Sequence, residues 1–155
     1  MHFIKMFAML LIFSVFFAAC SQSSEKDAPV ALGEEKSLAF ANERFHFSNG
    51  VEDACLFQES SGDNDSRVPS PTDYTVFGTV TLPSEIMDEY MKNFTWHSWD
   101  NETRLKYEDM MRKSDEDPSL PWKYSEDFKS EVLPAYYDGT AFVCGNRVWI
   151  IAAAM

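Results

Sequence analysis

Basic residues are scarce in this chain: 13 Lys and Arg stand against 25 Asp and Glu, for a formal net charge of −12. Nucleic-acid binding depends on clustered Lys and Arg that neutralise phosphates, so this balance argues against a nucleic-acid partner. It suits a basic protein partner, a cationic ligand, or simply a well-solvated surface. Histidine is scarcer still. Only His46 and His97 lie beyond the first residues, which leaves few side chains suited to acid–base chemistry near neutral pH. The six glycines form no phosphate-cradling loop and no dinucleotide fingerprint. A GxSxG elbow and an HExxH motif are both missing, so no catalytic triad or zinc protease centre can be picked out. The three cysteines include no CxxC and no neighbouring histidine cluster, which speaks against a metal site. No cofactor is expected.

The most specific stretch is the first twenty residues. A short positive start with Lys5 precedes an unbroken apolar run from Met6 to Phe13, and the stretch ends Phe17-Ala18-Ala19-Cys20. The composition then turns at once to Ser21-Gln22-Ser23-Ser24-Glu25-Lys26-Asp27. This is the layout of a secretory signal, with its positive, apolar and small-residue parts. The run is too short and too one-sided for a good spanning helix, which needs about 20 apolar residues. The apolar end at Val148–Met155 is likewise too short to span a membrane.

Residues Phe17-Ala18-Ala19-Cys20 resemble the lipobox of bacterial lipoprotein precursors: a bulky apolar residue, two small ones and a cysteine. The family usually has Leu where Phe17 stands here. The resemblance covers residues 1–20 alone. It implies that Cys20 receives a diacylglycerol through a thioether, that the leader 1–19 is removed, and that the new amino group is acylated. Several acyl chains would hold the protein at a membrane essentially permanently, since each buried CH₂ adds about 0.8 kcal/mol. Ser21 follows the cysteine in place of the inner-membrane retention Asp, which favours the outer membrane, facing the periplasm. The alternative is an ordinary signal peptide cut nearby, with Cys20 incidental. Loss of Lys5 with an acid-free leader takes the mature charge to about −13.

If Cys20 carries lipid, Cys55 and Cys144 remain as a pair in an oxidising compartment, which invites a disulfide. The alternative is two separately buried thiols. Residues 20–36 read as the lipidated cysteine and a flexible tether, and residues 37–155 as one globular domain. The 15% aromatic content is far above that of a disordered chain.

Within the domain, Asp73–Leu82 is the clearest strand. Its Tyr74, Val76, Gly78, Val80 and Leu82 share one face. Leu38–Phe47 reads as a strand from the alternation at Phe45-His46-Phe47, although its first half also suits a helical turn. Val51–Gln58 reads as another strand in preference to a short helix, and Glu59–Thr72 as an exposed loop. Ser84 is a candidate N-cap for a helix carrying Ile86, Met87, Tyr90, Met91 and Phe94 on one stripe. Glu102–Lys113 and a short segment from Ser125 through Leu133 read as further helices, with Ser114–Pro121 a surface loop between them. Asp138-Gly139 marks a turn, and Gly145-Asn146 the type II′ turn of a terminal hairpin. The expected fold is α+β: an antiparallel sheet of four to five strands with two or three helices on one face.

Trp96, His97 and Trp99 are either a stacking ledge for a ligand or a core seam between helices. Paired carboxylates at Glu108-Asp109 and Asp115-Glu116-Asp117 read as solvated surface. The functional expectation is a membrane-anchored envelope lipoprotein acting as a non-catalytic binding or structural module. One alternative is an immunity or inhibitor lipoprotein that neutralises a basic enzyme or toxin. The other is a membrane-proximal hydrolase.

Overall fold

The computed structural model describes residues 29–60, 74–136 and 138–154. The leader, Cys20, the first part of the tether and most of the Glu59–Thr72 loop lie outside the described residues. In chain order the elements are β1 (Val30–Ala31), α1 (Glu34–Arg44), β2 (Asp53–Ser60), β3 (Tyr74–Thr81) and α2 (Ser84–Asn93). There follow β4 (His97–Ser98), α3 (Asn101–Lys113), β5 (Lys123–Tyr124), α4 (Glu126–Val132), β6 (Asp138–Cys144) and β7 (Arg147–Ala154). One antiparallel sheet of seven strands runs β1-β2-β3-β7-β6-β5-β4. The class is α+β, with more elements than expected: seven strands and four helices among the described residues.

The terminal hairpin supplies the middle of the sheet. Cys144 pairs with Arg147 across Gly145-Asn146, and Gly145 has φ +63° while Asn146 is not in the positive-φ region. That combination is the type II′ turn, whose twist matches the flanking strands. β7 then lies between β3 and β6, which accounts for the apolar end of the sequence: Val148, Trp149, Ile150 and Ala152 are fully buried. Asp138 and Gly139 belong to β6 and pair with Ala153 and Ala152, so the turn expected there is absent.

Both faces of the sheet are covered, where cover on one face was expected. On the first, Leu56, Val76, Val80, Val143, Val148 and Ile150 meet Ala41 of α1, Ile86, Met87 and Tyr90 of α2, and Phe128 and Val132 of α4. On the second, Phe77, Phe142 and Trp149 meet Met111 of α3 and Trp122. Period-2 alternation explains the split, because Val76 and Val80 point one way and Phe77 and Thr79 the other. Gly78 is required in β3. Its φ is +142°, and a Cβ there would lie 2.1 Å from the Cys55 carbonyl oxygen.

The segment expected as a strand over 38–47 is mostly helical. Glu34 and Glu35 sit in the first turn of α1 and Arg44 in the last, each favourable to the helix dipole. Its buried stripe is only Ser37 and Ala41, continued by Phe45 just past the helix end. These small residues bring α1 close to the rim of β2. Ser37 Oγ accepts the Leu56 N–H at 3.1 Å, Leu32 N–H donates to Leu56 O at 2.9 Å, and Asp53 Oδ1 accepts the Ala54 N–H at 2.8 Å. Within the described residues, Val30 and Ala31 of β1 already pair with Gln58 and Phe57 of β2. In α2 the N-cap is Pro83, and Ser84 is the first helical residue.

Candidate functional site

The three aromatic candidates do not form one ledge. Trp96 packs on the α2 and α4 side, 5.1 Å from Phe128 between ring centroids, and its indole N–H donates to Tyr90 O at 3.3 Å. Trp99 packs on the opposite side, 5.4 Å from Phe142. His97 lies between them on β4, exposed, with its ring 5.6 Å from Tyr124. His46 is also exposed and sits just beyond α1. No hydrogen bond reaches either imidazole among the described residues.

Chemistry concentrates instead at the end of α3. The helix finishes at Lys113, and the turn after it satisfies the last carbonyls in the Schellman pattern. Asp115 N–H donates to Arg112 O at 3.2 Å, and Glu116 N–H donates to Met111 O at 2.9 Å. This geometry needs a left-handed residue after the C-cap, and Asp115 takes it with φ 59°. Glycine is the usual occupant, because it has no Cβ to strain there.

The turn is tied to the sheet by buried polar side chains. Ser114 Oγ accepts the Trp149 indole N–H at 2.9 Å and donates to the Met111 carbonyl at 2.9 Å. Glu116 is only 9% exposed. One carboxylate oxygen accepts the Thr79 hydroxyl at 2.8 Å, and the other accepts Arg147 Nη1–H at 2.8 Å. Arg147 also lies over the Trp122 ring, 5.7 Å from its centroid, and the Trp122 indole N–H donates to Asp117 O at 2.9 Å. The segment read as a surface loop thus contains the buried Ser114 and Glu116.

Fixing the turn presents carboxylates to solvent. Asp115 and Asp117 flank buried Glu116, and with Arg112 and Pro118 they line a shallow depression of about 270 Å³. Hydrogen bonds from Ser119 hold the Asp117 carboxyl below the ordinary aspartate range. Asp53, at the start of β2, and Asp115 both lie close enough to Cys55 to act on its thiol. Partial desolvation by the surrounding strands first, then the negative charges of Asp53, Asp115 and Glu116, push that thiol above the ordinary cysteine range, even though the residue as a whole is exposed. Cys55 is therefore a poor nucleophile at neutral pH. A larger cleft of about 760 Å³ lies between α2 and the β6–β7 turn, with Met87, Met91 and Val143 in its wall and Asp88 and Lys123 beside them.

The expected Cys55–Cys144 disulfide is not formed, and both cysteines are free thiols. They lie on β2 and β6, with β3 and β7 in between. Three strand spacings amount to about 14 Å, whereas bridged cysteines keep their Cα atoms within about 7 Å. Two free thiols was the other reading, although Cys55 is exposed and Cys144 only half-buried. Among the described residues no group of three or more His, Cys, Asp or Glu is placed to hold a metal. None of their helices is long and apolar enough to cross a membrane.

Sequence reasoning missed Ser114, Glu116, Thr79 and Arg147. The available signal was in β7: an Arg and a Trp on a strand otherwise apolar on both faces each need a polar partner once buried. No protein-family model matches the chain, and neither curated proteins nor solved structures show a significant similarity to it.

Proposed function

We propose that this is a lipid-anchored envelope protein, held at the membrane through Cys20, that binds a partner without transforming it. The observation that carries the reading is the division of labour among the carboxylates at the end of α3. Glu116 has both oxygens engaged, by Thr79 and Arg147, and so holds the turn. Asp53, Asp115 and Asp117 remain exposed and take part in no ion pair among the described residues. A rigid turn carrying unpaired carboxylates is suited to meeting Lys and Arg side chains of a basic protein. The occupied Glu116, the Cys55 thiol held protonated and the isolated imidazoles of His46 and His97 favour binding over catalysis. The same carboxylates favour the inhibitor form of this reading, in which the partner is a basic enzyme or toxin.

Two measurements test it. Capture of basic proteins from a periplasmic extract should weaken at high salt and in an Asp53→Asn, Asp115→Asn, Asp117→Asn variant, whose amides keep the local hydrogen bonds. A Glu126→Gln, Asp127→Asn variant, altered at the start of α4, should bind as the unmodified chain does. Binding indifferent to salt and to the triple change would reject the acidic surface. Incorporation of labelled acyl chains should vanish on Cys20→Ala, and its persistence would reject the anchor.

A further inference from the structure

We draw no further inference here: the strongest candidate, the open cleft between α2 and the β6–β7 turn walled by Met87, Met91 and Val143 with Asp88 and Lys123 beside them, is an unpartnered groove of mixed polar and apolar lining, and nothing in the structure shows what covers it.

Discussion

Replacing Glu116 by Ala removes the acceptor for two donors at once, and the two losses differ in size. Thr79 is 8% exposed, so its hydroxyl is left buried without a partner, at a cost of about 1–3 kcal/mol. The Arg147 side chain is 38% exposed and can turn toward water, so its loss falls at the low end, about 1 kcal/mol. The sum is about 2–4 kcal/mol, a large part of the roughly 5–15 kcal/mol that holds an ordinary domain together. Glu116→Gln keeps one acceptor oxygen, so it should cost less, about 1–2 kcal/mol. Urea unfolding of the leaderless chain, followed by tryptophan fluorescence, is a direct assay because Trp122 and Trp149 are fully buried beside the network. Arg147→Met keeps the stem against Trp122 while removing the charge. Combined with Glu116→Gln, it should be less damaging than the sum of the two single changes, with a coupling of about 0.5–1 kcal/mol. A Glu116→Ala chain within about 0.5 kcal/mol of the unmodified protein, or additive single changes, would refute the view that this carboxylate pins the turn.

Four further outcomes are expected. Gly78→Ala should unfold the domain or cost upwards of about 4 kcal/mol, because its Cβ would overlap the Cys55 carbonyl and φ is +142°; an unchanged urea midpoint would contradict this. Asp115→Gly should raise stability by up to about 1 kcal/mol by relieving the left-handed residue, while weakening capture of a basic partner; stabilisation with undiminished capture would separate the turn from the binding surface. In the native Cys144→Ser chain, alkylation of Cys55 by iodoacetamide should reach half its maximal rate at a higher pH than for an ordinary cysteine. The folded-state value is raised, so this thiol's contribution to stability is complete below the unfolded cysteine range and is lost as pH climbs from there through the raised folded value. Cys55→Ser should abolish that alkaline decline. Gel mobility should not change with reductant; a shift would restore the bridge.

What could be read from the sequence follows from how each element earns its burial. β3 and the terminal hairpin were legible because period-2 alternation and a Gly-Asn turn are strong local signals. The stripe of α2 was equally plain, since Ile86, Met87 and Tyr90 are large and correctly spaced. α1 was obscured because its buried stripe is Ser37 and Ala41, which carry almost no hydrophobic contrast, while Phe45-His46-Phe47 just after it alternates like a strand. Strands β1, β4 and β5 are two residues each, too short for any periodicity to appear. The second covered face was hidden because α3 contributes only one fully buried side chain, Met111, and loop residues such as Trp122 complete the cover. Cysteine counting suggested a bridge because it carries no knowledge of strand order. The acidic turn looked uniform in sequence, and only its place over Thr79 and Arg147 distinguishes Glu116 from its neighbours.

The rim of β2 has a bearing on life at a surface. Molecules confined to two dimensions, as lipid-anchored copies would be, meet one another at high local concentration with their domains side by side. Under such crowding an open strand edge is a template for pairing between chains. Here the Leu56 and Ala54 amides are already taken by the Ser37 hydroxyl and the Asp53 carboxylate, and β1 covers the next stretch of the strand. One hydroxyl on a helix of low hydrophobic contrast thus closes part of that rim, and Ser37→Ala, which leaves the buried Leu56 N–H without an acceptor, should cost about 1–3 kcal/mol in urea unfolding.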